Sequence, residues 1–479
     1  MEPNEQYEPN ERNQHKKRQP QSYVAIITII ALVAGFIGGQ LWTKRNYSIM
    51  NADGFKLLQA TYDRINDKFL YTAEQDKMLD GAIVGMVASL GDQYSQFLPD
   101  EQGEQYVDSY KSNFYGIGAE IMVVNDRYYI SSLVKDMPAE KSGLKPDDEI
   151  VTVDQQSTSG ISMNELLGMV RGEKGTSVVI GVKRQGVEQV LEFEIERAEI
   201  PVYTVHSESL EGDIGKITIS RFGEATGKEF TEALQGLQQE GELKGLVLDL
   251  RSNPGGRLDA TIDIAQQFIP DGGKILDVVF KNESHTNSYI SKQKDPLQLP
   301  VALLINEYSA SASEVLAAAL KESADAYVVG VTSYGKGIVQ TYESFREGSV
   351  LVLTEAEWKT PSGNGIHEVG VEPTHVVELP EYSKLGMISA GVELKRGSYG
   401  DDVKLLEQYL QVLGYSPSME GLFDERTEQA LKAYEKDKGF AEDGVYSSEV
   451  GAAIVEDIRE LLQQNDTQLQ EAIELLSNT

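Results

Sequence analysis

Residues 301–320 have the sequence VALLINEYSASASEVLAAAL, in which a polar segment separates two apolar runs. The first run, 301–305, is continuous, and another run at 245–250 is apolar apart from Asp249. Continuous apolar runs are typical of strands in a sheet that is covered on both faces. The second run, 315–320, predicts a helix. We therefore predict an α/β core in which a serine-rich turn joins a strand to a helix.

The serine-rich turn is a candidate for nucleophilic chemistry. A serine at a strand-to-helix turn keeps its hydroxyl exposed, and the N–H groups after it lie at the positive end of the helix. Such groups can stabilise the oxyanion of an acyl-transfer reaction. The segment also matches a capping box, with Ser311 as N-cap residue and Glu314 at N3, and helix capping alone would explain it.

A serine nucleophile needs a base, and the candidate is Lys336. It lies between Gly335 and Gly337, after a predicted strand at 327–330. Small neighbours allow the backbone to approach other segments and bury the lysine, and burial lowers the pKa of an amine so that it can accept a proton. Gln340 shares a face with Lys336 and could orient its nitrogen. A surface turn lysine and a surface strand glutamine are the alternatives.

The same segment raises the alternative of nucleotide binding. Residues 330–336 match the pattern G-x-x-x-x-G-K, and the sequence LVLD at 246–249 is similar to a Walker B strand. A P-loop needs Ser or Thr after the lysine, and a helix that begins there. Gly337 follows instead, and 338–341 looks extended, so we do not expect an ATPase.

The composition of the 479 residues excludes several classes of protein. Lys and Arg number 43 against 76 Asp and Glu, a net charge of −33, which would repel nucleic acid. The absence of cysteine excludes a cysteine nucleophile, a disulfide framework and an iron–sulfur cluster. None of the five histidines pairs with another at the spacing of metal ligands. We expect no metal and no organic cofactor.

Three segments together resemble the C-terminal processing peptidases, the tail-specific serine proteases with a Ser–Lys dyad. They are NEYSASASE at 306–314, GKG at 335–337 and DLRSNPGG at 249–256. The resemblance extends over nearly all of 51–380. It implies a multidomain α/β protein with a crotonase/ClpP-like protease core, an inserted β-rich PDZ domain, an N-terminal helical region and a small C-terminal helical domain.

The resemblance assigns the catalytic roles. The family spacing is 25 residues from nucleophile to lysine with a glutamine four residues further on, as found here from Ser311 to Lys336 and Gln340. It therefore implies that Ser311 is the nucleophile rather than Ser309 or Ser313. Lys336 is implied to be the general base, and Gln340 the residue that orients it.

The resemblance also implies an oxyanion hole, formed by the backbone N–H of Ala312 together with that of Gly255 or Gly256. The two glycines follow a proline, and an ordinary Pro-Gly turn is the alternative. Ser252 stands where relatives often have Asn in this turn.

Residues 103–198 resemble a PDZ domain, which captures the C-termini of other chains. Successive N–H groups in its loop could form a nest for a carboxylate, and a peptide could add as a strand. The predicted binding residues are Tyr115, Gly116, Ile117 and Gly118; a plain strand start is the alternative. Asp147 and Gln155 stand where the family usually has glycine, although Asp tolerates a left-handed backbone. Arg171 is a candidate contact between this domain and the protease core, with a surface arginine as alternative.

An apolar segment near the N-terminus predicts a membrane anchor. Residues 23–42 contain 15 apolar residues out of 20, and no charge occurs from 19 to 43. This length can cross the hydrocarbon core as a helix. We predict a cytoplasmic tail at 1–22, a single anchor at 23–43 in a bacterial cytoplasmic membrane, and an extracytoplasmic catalytic part. A cleaved signal peptide is the alternative.

The remaining segments complete the predicted organisation. Residues 51–102 form a helical region that could support a homodimer, and 199–380 form the protease core. Residues 392–456 resemble a peptidoglycan-binding module, with a spacer or protein-docking module as the alternative. Residues 457–479 are predicted to form one amphipathic helix.

We therefore predict an anchored endopeptidase whose partners are proteins with exposed apolar C-termini, and peptidoglycan as a further possible partner. The alternative is an inactive scaffold that binds C-termini and the cell wall. A degenerate core would be expected to lose Ser311, Lys336 or Gln340. All three are present, which favours the enzyme.

Overall fold

A computed structural model describes residues 53–478, with the exception of 111–112, 125–126, 185, 346 and 390. The predicted tail at 1–22 and the predicted anchor at 23–43 lie outside the described residues. Within the described ranges, no helix has both the length and the apolar character needed to span a membrane. The chain forms two compact units that divide between Ser89 and Leu90.

The first unit contributes two described helices, α1 (Asp53–Lys68) and α2 (Gln75–Ala88). Their apolar residues recur at helical spacing, as the sequence predicted. No side chain of α1 is buried, and Val87 is the one buried side chain of α2. Large apolar side chains on these helices are exposed, among them Leu58, Ile65, Leu79, Ile83 and Val84. Much of the apolar surface of this helical pair is therefore open to solvent.

The second unit begins with strand β1 (Gln96–Leu98) and helix α3 (Asp100–Asp108). A β-rich domain follows. Its elements are β2 (Asn113–Gly116), β3 (Ala119–Val124), β4 (Arg127–Leu133), α4 (Pro138–Ser142), β5 (Glu149–Val153), β6 (Gln156–Ser157), α5 (Met163–Val170), β7 (Ser177–Lys183), β8 (Leu191–Glu196) and β9 (Ala198–Pro201).

The sheet of this domain has the order β3-β4-β5-β7-β8, with every neighbouring pair antiparallel. β6 pairs with β5, and β2 pairs with β9 outside the sheet. Asp147 and Gln155, which replace the usual glycines, have φ of 67° and 66°. The backbone thus keeps a left-handed conformation at both positions, although neither residue is glycine.

The protease core contains the remaining strands and three long helices. These elements are β10 (Val205–Leu210), β11 (Ile214–Ile219), α6 (Thr226–Glu240), β12 (Gly245–Asp249), α7 (Leu258–Gln266), β13 (Lys274–Phe280), β14 (Thr286–Ile290), β15 (Val301–Ile305), α8 (Ala312–Ser323), β16 (Tyr327–Gly330), β17 (Ile338–Ser344), β18 (Val350–Lys359) and β19 (His375–Val376).

Two sheets build this core. The first has the order β10-β11-β12-β15-β16-β19 and is parallel except for the β10–β11 pair. The second is antiparallel, with the order β1-β18-β13-β14 and with β17 on β18. Because β1 precedes the β-rich domain and pairs with β18 after it, that domain is an insertion in the protease core.

The parallel sheet is covered on both faces, as its apolar runs predicted. Every residue of β12 and β15 is buried. One face packs against α6, α7 and α8, with Phe230, Ile264 and Leu316 in the shared core. The other face packs against a C-terminal helix through Ala472 and Leu476.

The C-terminal part is helical, with α9 (Asp401–Val412), α10 (Glu425–Lys438), α11 (Ser448–Gln464) and α12 (Thr467–Ser477). Helices α9, α10 and α11 share their own core. The structure differs from the single helix predicted at 457–479, because α11 ends at Gln464 and Asp466 caps a new helix that packs on the parallel sheet. The mixed α/β architecture with an inserted domain agrees with the predicted fold class.

Candidate active site

Ser311 immediately precedes α8, at the end of the turn that follows β15. Its backbone has φ of 55° and ψ of −111°, a conformation that is strained for a residue other than glycine. Of the predicted capping box, the Glu314 half is formed: its carboxylate accepts a hydrogen bond of 2.6 Å from the Ser311 N–H. The Ser311 hydroxyl donates to no acceptor among the described residues. Glu314 therefore caps the start of α8 while the Ser311 hydroxyl stays available for chemistry.

The neighbouring serines have structural roles. Ser309 and Ser313 are both fully buried. Their hydroxyls donate to backbone carbonyls, that of Ser309 to Leu250 at 2.8 Å and that of Ser313 to Asn253 at 3.0 Å. Ser311 instead lines a cavity of about 370 Å³. The geometry thus gives a physical reason for choosing Ser311 as the candidate nucleophile.

The backbone around Lys336 needs both flanking glycines. Gly335 has φ of 88°. A methyl group on Gly337 would lie 2.5 Å from the backbone nitrogen of His367, which real side chains cannot do. The lysine carbonyl accepts a hydrogen bond of 3.0 Å from the Trp358 indole. This close approach fixes the loop that carries Lys336.

The Lys336 side chain lines the same cavity as Ser311. Its nitrogen lies 4.9 Å from the centre of the Tyr94 ring, a cation–π distance. Burial lowers the pKa of Lys336, against opposing effects of the negative charges of Asp92 and Glu314. The net direction favours the neutral amine that a general base requires. No hydrogen bond or salt bridge joins this amine to another described side chain.

Gln340 lines the cavity on β17, but it forms no hydrogen bond with Lys336 within the described ranges. Its amide donates instead to the Thr354 hydroxyl at 3.1 Å. The Thr354 N–H donates to the Ser95 hydroxyl, and Ser95 donates to Asp92. The structure therefore joins Gln340 to Asp92 through two residues. The orienting role of Gln340 stays a prediction.

The turn after β12 lies directly against the nucleophile. A methyl group on Gly255 would be 2.9 Å from Cβ of Ser311 and 3.0 Å from the Ala312 nitrogen. The Gly255 N–H is already used, because it donates to the Asn253 side chain at 2.8 Å. The N–H groups of Ala312 and Gly256 donate to no acceptor among the residues described. These two groups are available for an oxyanion.

The P-loop alternative is excluded by the element that follows Lys336. Residues from Ile338 to Ser344 form the strand β17. A phosphate-binding loop would need a helix to begin at this point.

Glu314 is the residue whose importance the sequence analysis missed. It is fully buried and accepts four hydrogen bonds, from the N–H groups of Ser311, Gly335 and Lys336 and from the Ser333 hydroxyl, at 2.6, 2.6, 2.8 and 2.6 Å. One carboxylate thus joins the nucleophile to the lysine loop. The available signal was a charged residue in the first turn, directly before the apolar run 315–320.

A second cavity of about 370 Å³ lies in the inserted domain, between β3 and α5. Gly116, Ile117 and Gly118 line it as predicted, whereas Tyr115 does not. The N–H groups of Ile117 and Gly118 have no acceptor in the described part of the chain. Since β3 is the edge strand of its sheet, an extended peptide could pair with it.

Arg171 also lines this groove. Its guanidinium lies 5.1 Å from the centre of the Phe114 ring on β2, a cation–π distance. β2 pairs with β9, where the chain returns to the protease core. The contact of Arg171 is therefore with the connecting strands.

Four segments of the chain match the profiles of known protein families. The profile of Peptidase family S41 matches 213–377, that of a PDZ domain 129–184, that of a putative peptidoglycan binding domain 399–454 and that of the activating protease CtpB N-terminal domain 21–102.

The chain is also similar over most of its length to known proteins. The carboxy-terminal processing protease CtpA of Bacillus subtilis is 36% identical over 456 residues, which are 94% of this chain and 97% of the relative. CtpB of the same organism is 36% identical over 425 residues, 88% of each chain. A solved structure of a photosystem II D1 C-terminal processing protease aligns with a TM-score of 0.40 and 25% identity, covering 72% of this chain and 93% of that one.

Glu314→Gln tests the shared carboxylate. The amide cannot accept from all four donors, and its NH₂ group would face N–H groups, at a cost of about 1.5–3 kcal/mol for each lost charge-assisted bond. We expect kcat on a casein-derived peptide to fall by at least about tenfold, with little change in KM. The exposed Glu343→Gln is the control. A kcat within twofold of the wild type would contradict this role.

Asp92→Asn tests the electrostatics of the lysine. The Asp92 charge raises the pKa of Lys336, so its removal lowers that pKa and makes the neutral amine available at lower pH. We expect the rising limb of kcat/KM, measured from about pH 6 to pH 10, to move to lower pH. Glu343→Gln should leave the limb in place. An unmoved limb in Asp92→Asn, or one at higher pH, would show that Asp92 does not act on the catalytic base.

Proposed function

The chain belongs to the S41 peptidase family of carboxy-terminal processing serine proteases, and we propose that it cleaves proteins through a Ser311 acyl-enzyme with Lys336 as general base. The resemblance predicted from the sequence is thereby confirmed at the level of the family. The observation that carries the mechanism is one cavity lined by Ser311, a lysine with a lowered pKa, and two available N–H donors.

The proposed reaction has two halves. Neutral Lys336 takes the proton of the Ser311 hydroxyl as its oxygen attacks the peptide carbonyl. The N–H groups of Ala312 and Gly256 hold the oxyanion, and the lysinium then protonates the leaving amine. Water hydrolyses the ester by the reverse roles, and no metal or cofactor takes part.

The described arrangement is, in this proposal, a resting one. The amine of Lys336 lies over the Tyr94 ring, and no hydrogen bond joins it to Ser311 or Gln340 among the described residues. The amine has to come within hydrogen-bond distance of the Ser311 hydroxyl before the proton can transfer. We propose that substrate binding brings about this movement, with Gln340 then orienting the amine.

The groove of the inserted domain would select substrates. N–H groups of Ile117 and Gly118 and the guanidinium of Arg171 border one cavity, and such donors suit a terminal carboxylate. The walls include the apolar Leu167 and Val170. We therefore propose that the groove binds exposed C-termini that end in apolar residues.

We propose that the protein is anchored by residues 23–43 in a bacterial cytoplasmic membrane, with the protease outside. The sequence of this segment and the match to a peptidoglycan-binding domain support this location. The C-terminal module would then associate with the cell wall.

We also propose a homodimer formed through the helical pair α1 and α2, because exposed apolar stripes of this kind favour association. Leu58, Ile65 and Ile83 belong to this surface. We expect the full-length chain in detergent to sediment as a dimer in analytical ultracentrifugation. A monomer would contradict the proposal.

The decisive test compares wild type, Ser311→Ala and Lys336→Ala as full-length proteins in detergent. We expect only the wild type to cleave casein and peptides with apolar C-termini, and to cleave them faster as pH rises through the lysine ionisation. Peptides whose C-terminus is amidated should be cleaved more slowly, because the groove would lose its carboxylate. Equal cleavage by all three proteins would contradict Ser311 and Lys336.

The scaffold alternative has its own outcome in this test. An inactive scaffold would bind the free C-terminal peptides but not their amides, with no cleavage by wild type. The presence of Ser311, Lys336 and two available N–H donors at one cavity favours the enzyme.

The anchor is tested by comparing the full-length chain with a chain that lacks residues 1–45, each expressed in a bacterium. We expect the full-length chain to stay with membranes after alkaline carbonate washing and the shortened chain to be released. Added protease should degrade the full-length chain in spheroplasts without lysis. Release of the full-length chain by carbonate would contradict the anchor.

A further inference from the structure

Arg251 connects two distant parts of the chain. It follows β12 and directly precedes the glycine turn beside Ser311. Its guanidinium donates two hydrogen bonds to Asp249, at 2.9 and 2.7 Å, and two to Asp466, at 2.9 and 2.8 Å. Bidentate pairs of this kind fix both distance and orientation. Burial disfavours the charge, but the two carboxylates outweigh it and keep the pKa of Arg251 above its ordinary value.

Asp466 lies at the start of α12, which is attached to the protease core by hydrogen bonds and apolar packing. It is the N-cap of α12, where it accepts a hydrogen bond of 3.0 Å from the Leu469 N–H. The next residues, Thr467 and Gln468, donate to the carbonyls of Glu378 and Val377 at 2.7 and 2.9 Å. Helix α12 then packs on the parallel sheet through Ala472 and Leu476. The carboxylate is therefore held in place from several sides.

The turn that Arg251 precedes is under conformational strain. Ser252 has φ of 58°, a left-handed conformation that costs free energy in a residue other than glycine. Its N–H donates to Asn306 at 2.8 Å, and the Asn253 carbonyl accepts from the Ala310 N–H and the Ser313 hydroxyl, both at 3.0 Å. A strained turn keeps its geometry only when several contacts with the surrounding structure hold it in place.

We propose that Asp466 is a positioning residue for the oxyanion-hole turn, which it holds in place through Arg251. The inference rests on the proposed role of Gly256 in binding the oxyanion. The hydrogen bonds of Arg251 with Asp249 and Asp466, here called the clamp, fix the chain where it leaves β12 and enters the turn. The hydrogen bonds of the Asn253 carbonyl with Ala310 and Ser313 fix the turn against the loop that carries Ser311. A residue beyond the whole C-terminal module thereby helps to define the active site.

The clamp can be weakened without removing the helix. Asn is as good an N-cap as Asp, so Asp466→Asn keeps the cap of α12 while it removes the charge and one of the two acceptors. Arg251 keeps its pair with Asp249, and the buried charge stays compensated. Deleting α12 would be a poorer test, because it would expose the apolar face of the sheet.

The experiment uses the full-length chain in detergent, with wild type, Ser311→Ala, Asp466→Asn and Glu474→Gln. Glu474 is an exposed carboxylate on the same helix and serves as the matched control. We expect Asp466→Asn to lower kcat about tenfold, as for a loosened oxyanion donor. KM should stay within about twofold, and the rising limb of the pH profile should not move. Glu474→Gln should behave as the wild type.

A second variant covers the case in which Asp466→Asn does not fold. Arg251→Lys keeps the charge but cannot form two bidentate pairs, and it should lower kcat in the same way. Thermal unfolding of each sample identifies a variant that has merely lost its structure. A folded Asp466→Asn with kcat equal to that of wild type overturns the inference, while the proposed function stands if Ser311→Ala is inactive. Cleavage by Ser311→Ala would overturn the proposed function itself.

Discussion

The Glu314 carboxylate is the interaction on which the site depends. It lies in the first turn of α8, fully buried, and its four donors come from the nucleophile, Ser333 and the lysine loop. A buried charge is tolerated only when its hydrogen bonds are made, and these bonds exist only when both loops are in place. Ser311 and Lys336, the proposed nucleophile and base, are therefore positioned together, and the strain at Ser311 is held by the same contact.

The order of the strands in the protease core places these loops next to one another. β12, β15 and β16 are neighbouring parallel strands, and the loops that carry Gly256, Ser311 and Lys336 follow them. Glycines at 255 and 337 allow separations that any side chain would prevent. Because the strands are covered on both faces, the loops can approach one another while the sheet itself stays rigid. The inserted domain is joined to the protease core between β1 and β10, and the C-terminal module is joined to it between β19 and α12.

The sequence predicted what depends on local pattern. Apolar runs indicated β12 and β15. Residue types indicated a serine in the turn at 306–314 and Lys336 as candidates, and the family resemblance selected Ser311 among the serines. Contacts between distant segments were not predictable in the same way. Tyr94 and Asp92 reach Lys336 from the turn before β1, which precedes the inserted domain, and one partner of Arg251 lies 215 residues away. The break at Asn465 was missed because an amphipathic pattern continues across it, and only the packing of α12 on the sheet shows two helices.

The C-terminal module is held by the protease core at both of its ends. The chain leaves the parallel sheet after β19, and it returns at Thr467 and Gln468, whose side chains bond the carbonyls of the departing segment. The two connections thus meet at one place, beside Arg251 and the turn that follows it. Helix α12 itself is part of the core that covers β12, β15 and β16. Helices α9–α11 keep a core of their own between the two connections, whereas α12 belongs to the core of the protease.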